Sequence, residues 1–442
     1  MWDDLGVSQL AADLLSRGAA TIVGLFLAAA ATLSLMRTVV IPRALRSAIS
    51  DGAANAVIWT FRAISRLRRT YVARDSMLAW VGPTTIIVQL LTWLLLYLVA
   101  YGLLIYGVSG ASFGEAIRQA GSSLFTLGFA AADSQDETII DFIAAATGPI
   151  VIALLIGFLP TIYSAYLERE VEVTMLGATA GEPAWGPELL ARFALTKDLE
   201  QVPVVLERWS HWAARLRMTH VTYPVLVWVR SARASHHYVT SLLAVLDAAA
   251  LHLALSRTLP RHQAYAVLLQ GGQAFNMLYL VLFSKRRQRR PLPLVGRFVG
   301  GSRASLHAAG DVPQMDRYVI ATQMAATLDS ANGPDGATVA RLAQGEEQEL
   351  TVTRADFDKA VDVLRRSGYP IESDLDIAWE EFRLARSRYE FAALAMAKAL
   401  DATPAPWSGD RLPPTAVMWP TMVVDMIPEV GRDDDPSGDH DG

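Results

Sequence analysis

The chain has 442 residues, 52% of them hydrophobic and 19% charged, with a formal net charge of −5. Soluble chains carry nearer a quarter charged residues as a rough average, and the shortfall here lies in three long uncharged runs before residue 168. The absence of cysteine excludes disulfides, thiolate metal sites and cysteine nucleophiles, and the mild acidity leaves no basic surface for nucleic acid.

The N-terminus, MWDDLG, is acidic where a secretory signal would be basic. About 20 helical residues cross the roughly 30 Å hydrocarbon core of a bilayer. The first uncharged run, residues 19–36, reaches that length and extends to Val40, with Arg37 placed to reach the headgroups. The second covers 78–110 and the third 142–167. In lipid every backbone polar group must be satisfied within the segment, so each run predicts a helix. Three spans in an all-α membrane protein are expected, the first within residues 1–42.

Residues 43–76 form a basic linker. Arg43, Arg46, Arg62, Arg66, Arg68, Arg69 and Arg74 face only Asp51 and Asp75, and such an excess marks the cytoplasmic side. The N-terminus is then outside, span two runs outward, span three returns, and everything after Glu168 is cytoplasmic. Ile49, Ala53, Val57, Phe61 and Ile64 recur at helical spacing beside the arginines. That stripe suits either an amphipathic helix on anionic lipid or a solvated connector.

Residues 171–430 predict a cytoplasmic helical domain. Val205, Trp209, Trp212 and Leu216 share one helical face. Thr353 and Asp356 read as a cap ahead of Phe357, Val361 and Leu364, with Gly368 ending the helix. Ser373 and Asp376 open another helix, with stripe Leu375, Trp379, Phe382 and Tyr389. The uncharged run 263–284 is long enough to span, but Gln270, Gln273 and Asn276 interrupt it and five basic residues follow from Lys285. It reads as a buried helix rather than a fourth span. Residues 181–187, 291–302 and 329–336 read as loops, and the acidic end, 431–442, as disordered.

Between spans two and three the composition is wrong for a plain linker. Residues 113–125 are mildly apolar and helix-compatible, yet too short to span, and Thr126, Leu127, Gly128, Phe129 and Ala130 follow at once. The pattern is a short helix descending part way, then a re-entrant backbone, which is tolerated at membrane depth only where protein buries it or water lines it.

Two spans bracketing a short helix and the pentapeptide TLGFA resemble the potassium-channel superfamily of two-span, one-pore-loop subunits, whose filter reads TVGYG. The resemblance covers about residues 78–168 and implies a two-helix pore module over 77–170, with the pore loop at 112–133. It implies a homotetramer in a bacterial plasma membrane, passive cation conduction with K⁺ as the permeant ion, and no further cofactor. The filter would be Thr126 to Ala130, with K⁺ held by backbone carbonyls of Thr126, Leu127, Gly128 and Phe129. Ala130 replaces the last filter glycine, where a glycine-only backbone would cost a Cβ residue about 1–3 kcal/mol. Leu127 replaces valine, and Ala131 and Ala132 stand where an aspartate usually follows. These departures bear on potassium selectivity rather than on pore architecture.

Asp133, Asp136, Glu137 and Asp141 would form an acidic outer vestibule that concentrates cations. Gly148, Gly157 and Pro160 in span three are candidate hinge points, and Phe158, Ile162 and Tyr166 a hydrophobic gate. An enzyme is not expected. His236, His237, His252 and His262 lack metal-ligand spacing, Asp247 is a lone acid in an apolar helix, and the glycine-rich 300–310 follows no strand. Two readings follow: a channel subunit regulated by its helical domain and an unknown cytoplasmic partner, or a non-conducting membrane scaffold that keeps a degenerate pore.

Overall fold

The computed structural model describes residues 2–41, 47–283 and 350–409, with side chains from residue 13 onward. All regular structure among the described residues is helical. Five helical stretches are long and apolar enough to cross a membrane: Asp13–Val40, Tyr71–Val108, Gln135–Ala180, Tyr238–Leu255 and His262–Phe283. The chain divides into two compact units, residues 1–167 with 222–230, and residues 168–221 with 231–442.

In the first unit, α1 (Trp2–Leu35) runs into a π-helical turn, Met36–Val40, and lies along α4 (Val81–Val108). Small residues let the two backbones approach: a Cβ on Gly107 would stand 2.0 Å from the Thr21 hydroxyl oxygen. Polar side chains tie the same interface. Thr32 and Tyr97 hydroxyls meet at 2.8 Å, and the Trp93 indole N–H donates to Ser34 Oγ at 2.9 Å. The Arg17 guanidinium donates to the carbonyls of Tyr106 (3.0 Å) and Ser109. It thereby caps the C-terminal end of α4, where a cation is favoured.

Helices α2 (Ala48–Ser65) and α3 (Tyr71–Leu78) begin at Ser47 and Thr70, each accepting a backbone N–H from the first turn. The predicted apolar stripe of α2 turns inward: Val57 is buried, Ile49 and Phe61 pack on core clusters, and Ile64 is exposed. Asp75 of α3 pairs with Arg230, whose guanidinium also donates to the Tyr71 hydroxyl at 3.1 Å. The ion pair fastens segment 222–230, which includes a 3₁₀ turn at Pro224–Trp228, into this unit.

Helix α5 (Phe113–Leu124) packs on α4, and α6 (Gln135–Ala180) follows. The third span was expected to end at residue 167. Instead α6 continues without interruption for 46 residues through Pro149 and Pro160, about 70 Å if straight, or more than twice the hydrocarbon thickness. The unit boundary falls within it.

The second unit comprises α7 (Gly186–Leu195), α8 (Gln201–Thr222), α9 (Tyr238–Leu255), α10 (His262–Phe283), α11 (Arg354–Arg366), α12 (Leu375–Ser387) and α13 (Glu390–Ala399). Every residue of α9 is buried, enclosed by α7, α10, α12 and α13. A helix apolar all round belongs in such a core. Its acid, Asp247, pairs with Arg386 and accepts the Tyr389 hydroxyl at 2.8 Å. Arg386 also donates to Glu390 Oε1 (3.0 Å) and to the Trp407 carbonyl (2.6 Å). Helix α10 packs Ala264, Val267, Ala274, Phe275 and Leu278 inward and leaves its other residues largely half-buried.

The capping box of Thr353 and Asp356 and the stop at Gly368, φ +83°, stand where they were expected. The next cap moves: Asp374, not Ser373, accepts the N–H groups of Asp376 and Ile377 at 2.9 and 3.2 Å. Tyr389 precedes α13 and does not extend the α12 stripe, whose buried residues are Ala378, Phe382 and Arg386. The predicted loops at 291–302 and 329–336, the glycine-rich 300–310, the basic residues after Phe283, Arg43, Arg46 and the tail 431–442 lie outside the described residues.

Candidate functional site at the end of helix α5

Helix α5 starts in a reciprocal cap. Ser112 Oγ accepts the Glu115 N–H at 3.4 Å, and Glu115 Oε2 accepts the Ser112 N–H at 2.9 Å. That backbone donor, with the Ser112 hydroxyl, holds the Glu115 carboxyl below its usual range. Its 12 residues reach about 18 Å, too short to span. Ala116, Gln119, Ala120, Ser122 and Leu124 are buried along one face.

At its far end the helix meets α6. A Cβ on Gly148 would stand 1.9 Å from the Leu124 carbonyl oxygen. Gly148 was expected to be a hinge; its lack of a side chain instead admits the end of α5.

The chain then turns sharply. Leu127 N–H donates to the Ser122 carbonyl at 2.7 Å and Thr126 N–H to the Ser123 carbonyl at 3.0 Å. This closure puts its pivotal residue in the left-handed region, and Thr126 has φ +56°. For a residue with a Cβ that costs about 1–2 kcal/mol. Gly128, at φ +70°, repeats the conformation two residues on. Ser122 secures the far end of the segment as well, its hydroxyl oxygen accepting the Ala130 N–H at 3.0 Å. Ala130 is not among the residues with positive φ. The expected glycine-only backbone therefore falls at Thr126 and Gly128, and the anticipated strain at Ala130 is absent.

Among the described residues, no hydrogen bond reaches the carbonyls of Thr126, Leu127, Gly128 or Phe129. The side chains of Leu127 and Phe129 are exposed, and the Arg118 guanidinium lies 5.4 Å from the Phe129 ring centroid. The site is thus four consecutive unanswered carbonyls on a turn clamped from behind by one serine.

Two of the four expected vestibule acids serve another purpose. Glu137 is buried and accepts from Gln119 Nε2 (3.3 Å), the Asp133 N–H (3.3 Å) and Ser134 Oγ (3.2 Å). Asp141 accepts from the same Gln119 amide at 3.1 Å and from Ser123 Oγ at 2.8 Å. They brace α5 against α6 rather than line a mouth. Asp133 and Asp136 are exposed. Gln119, Ser122 and Ser123 were missed in the sequence; polar residues on the inner side of a short amphipathic helix were the available signal.

The gate residues are also relocated. Ile162 is buried with Ile86, Leu155 and Leu226, with Phe158 and Tyr166 packed beside it and Phe158 edge-on to Tyr223. All three face their own unit. The free face of α6 presents Ile152, Ile156, Leu159, Tyr163 and Leu167. Nothing lies within 4 Å of a Cβ built on Gly157, and α6 stays helical through Pro160.

His236 meets Glu182 at 2.8 Å, and no group of three or more His, Asp or Glu stands together to hold a metal among the described residues. Among the described residues the regular structure is all helical, with membrane-length helices and a short non-spanning helix between two of them. No family model, curated protein or solved structure matches the chain.

Proposed function

We propose that the chain is one subunit of a homotetrameric cation channel in a bacterial plasma membrane, with K⁺ as the favoured ion and the N-terminus outside. The observation that carries the reading is the row of unanswered carbonyls from Thr126 to Phe129. Residues 126–129 are exposed in the single chain, so their carbonyls are open to a ligand, and carbonyl rings that replace the water shell of a cation are the way channel filters hold one. One strand supplies one ligand per layer, so several copies must share an axis; the resemblance to one-pore-loop subunits sets the number at four. The C-terminal end of α5 carries partial negative charge beside the turn, which favours a cation. Asp133 and Asp136 are the acids placed to concentrate cations at the entrance. The face of α6 bearing Ile156, Leu159 and Tyr163 supplies the inner lining. The second unit is the cytoplasmic, regulatory part.

A non-conducting scaffold is the alternative, and Ala130 favours it. Its N–H is tied to Ser122, which gives the last filter position a backbone unlike the glycine it replaces. Purified chain in potassium-loaded liposomes decides between the two. Potassium or thallium flux from the wild type, abolished by Gly128→Asp, is the expected outcome. A tetrameric sample without flux would leave the scaffold.

A further inference from the structure

Two residues of helix α5 reach the turn that follows it. Ser122 holds backbone: its carbonyl accepts the Leu127 and Gly128 N–H groups at 2.7 and 3.4 Å, and its hydroxyl oxygen accepts the Ala130 N–H at 3.0 Å. Arg118 holds a side chain. Its guanidinium carbon lies 5.4 Å from the centroid of the Phe129 ring, inside the roughly 6 Å over which a ring face attracts a cation. Residues 118 and 122 are four apart and therefore neighbours on the helix, so one turn of α5 grips both the ring of Phe129 and the amides on either side of it.

Arg118 is the one basic residue between Arg74 and Arg169, so no other cation of the segment from α4 to the end of span three can take this place. The acids around it are engaged elsewhere. Glu115, one turn earlier, accepts the Ser112 N–H and hydroxyl at 2.9 Å each. Glu137 and Asp141 share the Gln119 amide and take further donors from Ser134 and Ser123.

The Phe129 ring is 54% exposed in the single chain and has no hydrogen-bonding group by which to be fixed. A cation over its face supplies that restraint. Rotamer and backbone dihedrals are coupled at each residue, so restricting where the ring lies restricts where the Phe129 carbonyl points. We propose that Arg118 is a positioning residue of the carbonyl row, holding the Phe129 ring on the α5 side of the turn and keeping the Phe129 carbonyl open to a permeant cation. Arg118 acts through the ring and touches no ion. The inference rests on the reading of Thr126 to Phe129 as a filter.

The test measures potassium-over-sodium permeability of the full chain in liposomes. Arg118→Gln should lower the ratio about twofold to fivefold, the factor that an exposed cation–π contact supplies. Arg118→Lys keeps a cation for the ring and should retain most of the ratio. Phe129→Leu keeps the carbonyl without the ring and should reproduce the loss, and R118Q added to F129L should change nothing more. If R118Q does not elute as intact protein, the other two single variants decide: loss in F129L with retention in R118K supports the role, and an unchanged ratio in F129L overturns it. An unchanged ratio in R118Q, a loss as large in R118K, or a further loss when R118Q joins F129L, which would show the charge acting through space, would each overturn the proposal and leave the channel reading in place. Absence of flux from the wild type would remove that reading and this inference with it.

Discussion

The middle of α9 and the end of α5 treat polar groups in opposite ways. In α9 the buried acid Asp247 is met by Arg386 and Tyr389, and Arg386 is met in turn by Glu390 and the Trp407 carbonyl. His252, near the end of the same helix, has the Tyr369 hydroxyl and the Pro260 carbonyl at 2.8 Å on its two nitrogens. At the end of α5 four successive carbonyls have no partner among the described residues, although the amides around them are clamped by Ser122. A buried cluster whose members answer one another, as Asp247, Arg386, Tyr389 and Glu390 do, is finished within one chain. A rigid turn that leaves a row of acceptors open is finished only by something added to it, whether water, an ion or further copies.

The largest expected effect tests the finished side. Arg386→Ala leaves Asp247 buried and unpaired, and should destabilise the second unit by about 3–5 kcal/mol in denaturant unfolding. Replacing Asp247 and Arg386 together with leucines should recover most of that loss, because buried pairs contribute little net. An Arg386→Ala chain as stable as the wild type would break the comparison. The next effect tests the open side. Gly148→Ala drives a methyl group into the Leu124 carbonyl and should cost about 1–3 kcal/mol of overpacking strain. It should sharply reduce flux while leaving the unfolding of the second unit unchanged.

Ser122→Ala is gentler. It removes the acceptor for the Ala130 N–H, worth about 1 kcal/mol, and should lower potassium-over-sodium permeability without loss of assembly. The smallest effect is a pH dependence. Glu372 accepts the Thr258 hydroxyl and the N–H groups of Arg257 and Thr258 just beyond α9. These donors, the hydroxyl foremost, hold its carboxyl down at about 2, below the ordinary 4.5. A depressed carboxyl adds stability that is complete above the unfolded value and is lost as pH falls toward the folded one. Thermal unfolding of the wild type should therefore weaken between about pH 4.5 and 2, and Glu372→Gln should flatten that slope.

Much of the first unit was legible because hydrophobic length is a local property. The uncharged runs locate α1, α4 and the membrane-length part of α6, and a mildly apolar, helix-compatible stretch too short to span locates α5. The use of particular side chains was not legible. Glu137 and Asp141 look like free surface acids in sequence, and their assignment as braces depends on Gln119 and Ser123 arriving from another helix. Gly148 looks like a flexible joint until the Leu124 carbonyl is seen against it. Ile162 looks like a pore residue until Leu226 covers it. Asp247 could be read as a core acid, yet Tyr389, its partner, lies 142 positions away, and no spacing rule reaches that far.

The sequence by itself picked out three spans, where five helices among the described residues are long and apolar enough for a bilayer, and it marked the short helix between the second and third. Transfer of an apolar run from water depends on its own composition and length. Tertiary structure decided which polar groups are answered and which are left open. A hydrogen bond needs its two partners within about 3 Å in the right orientation, and that proximity is a property of the folded backbone rather than of either residue.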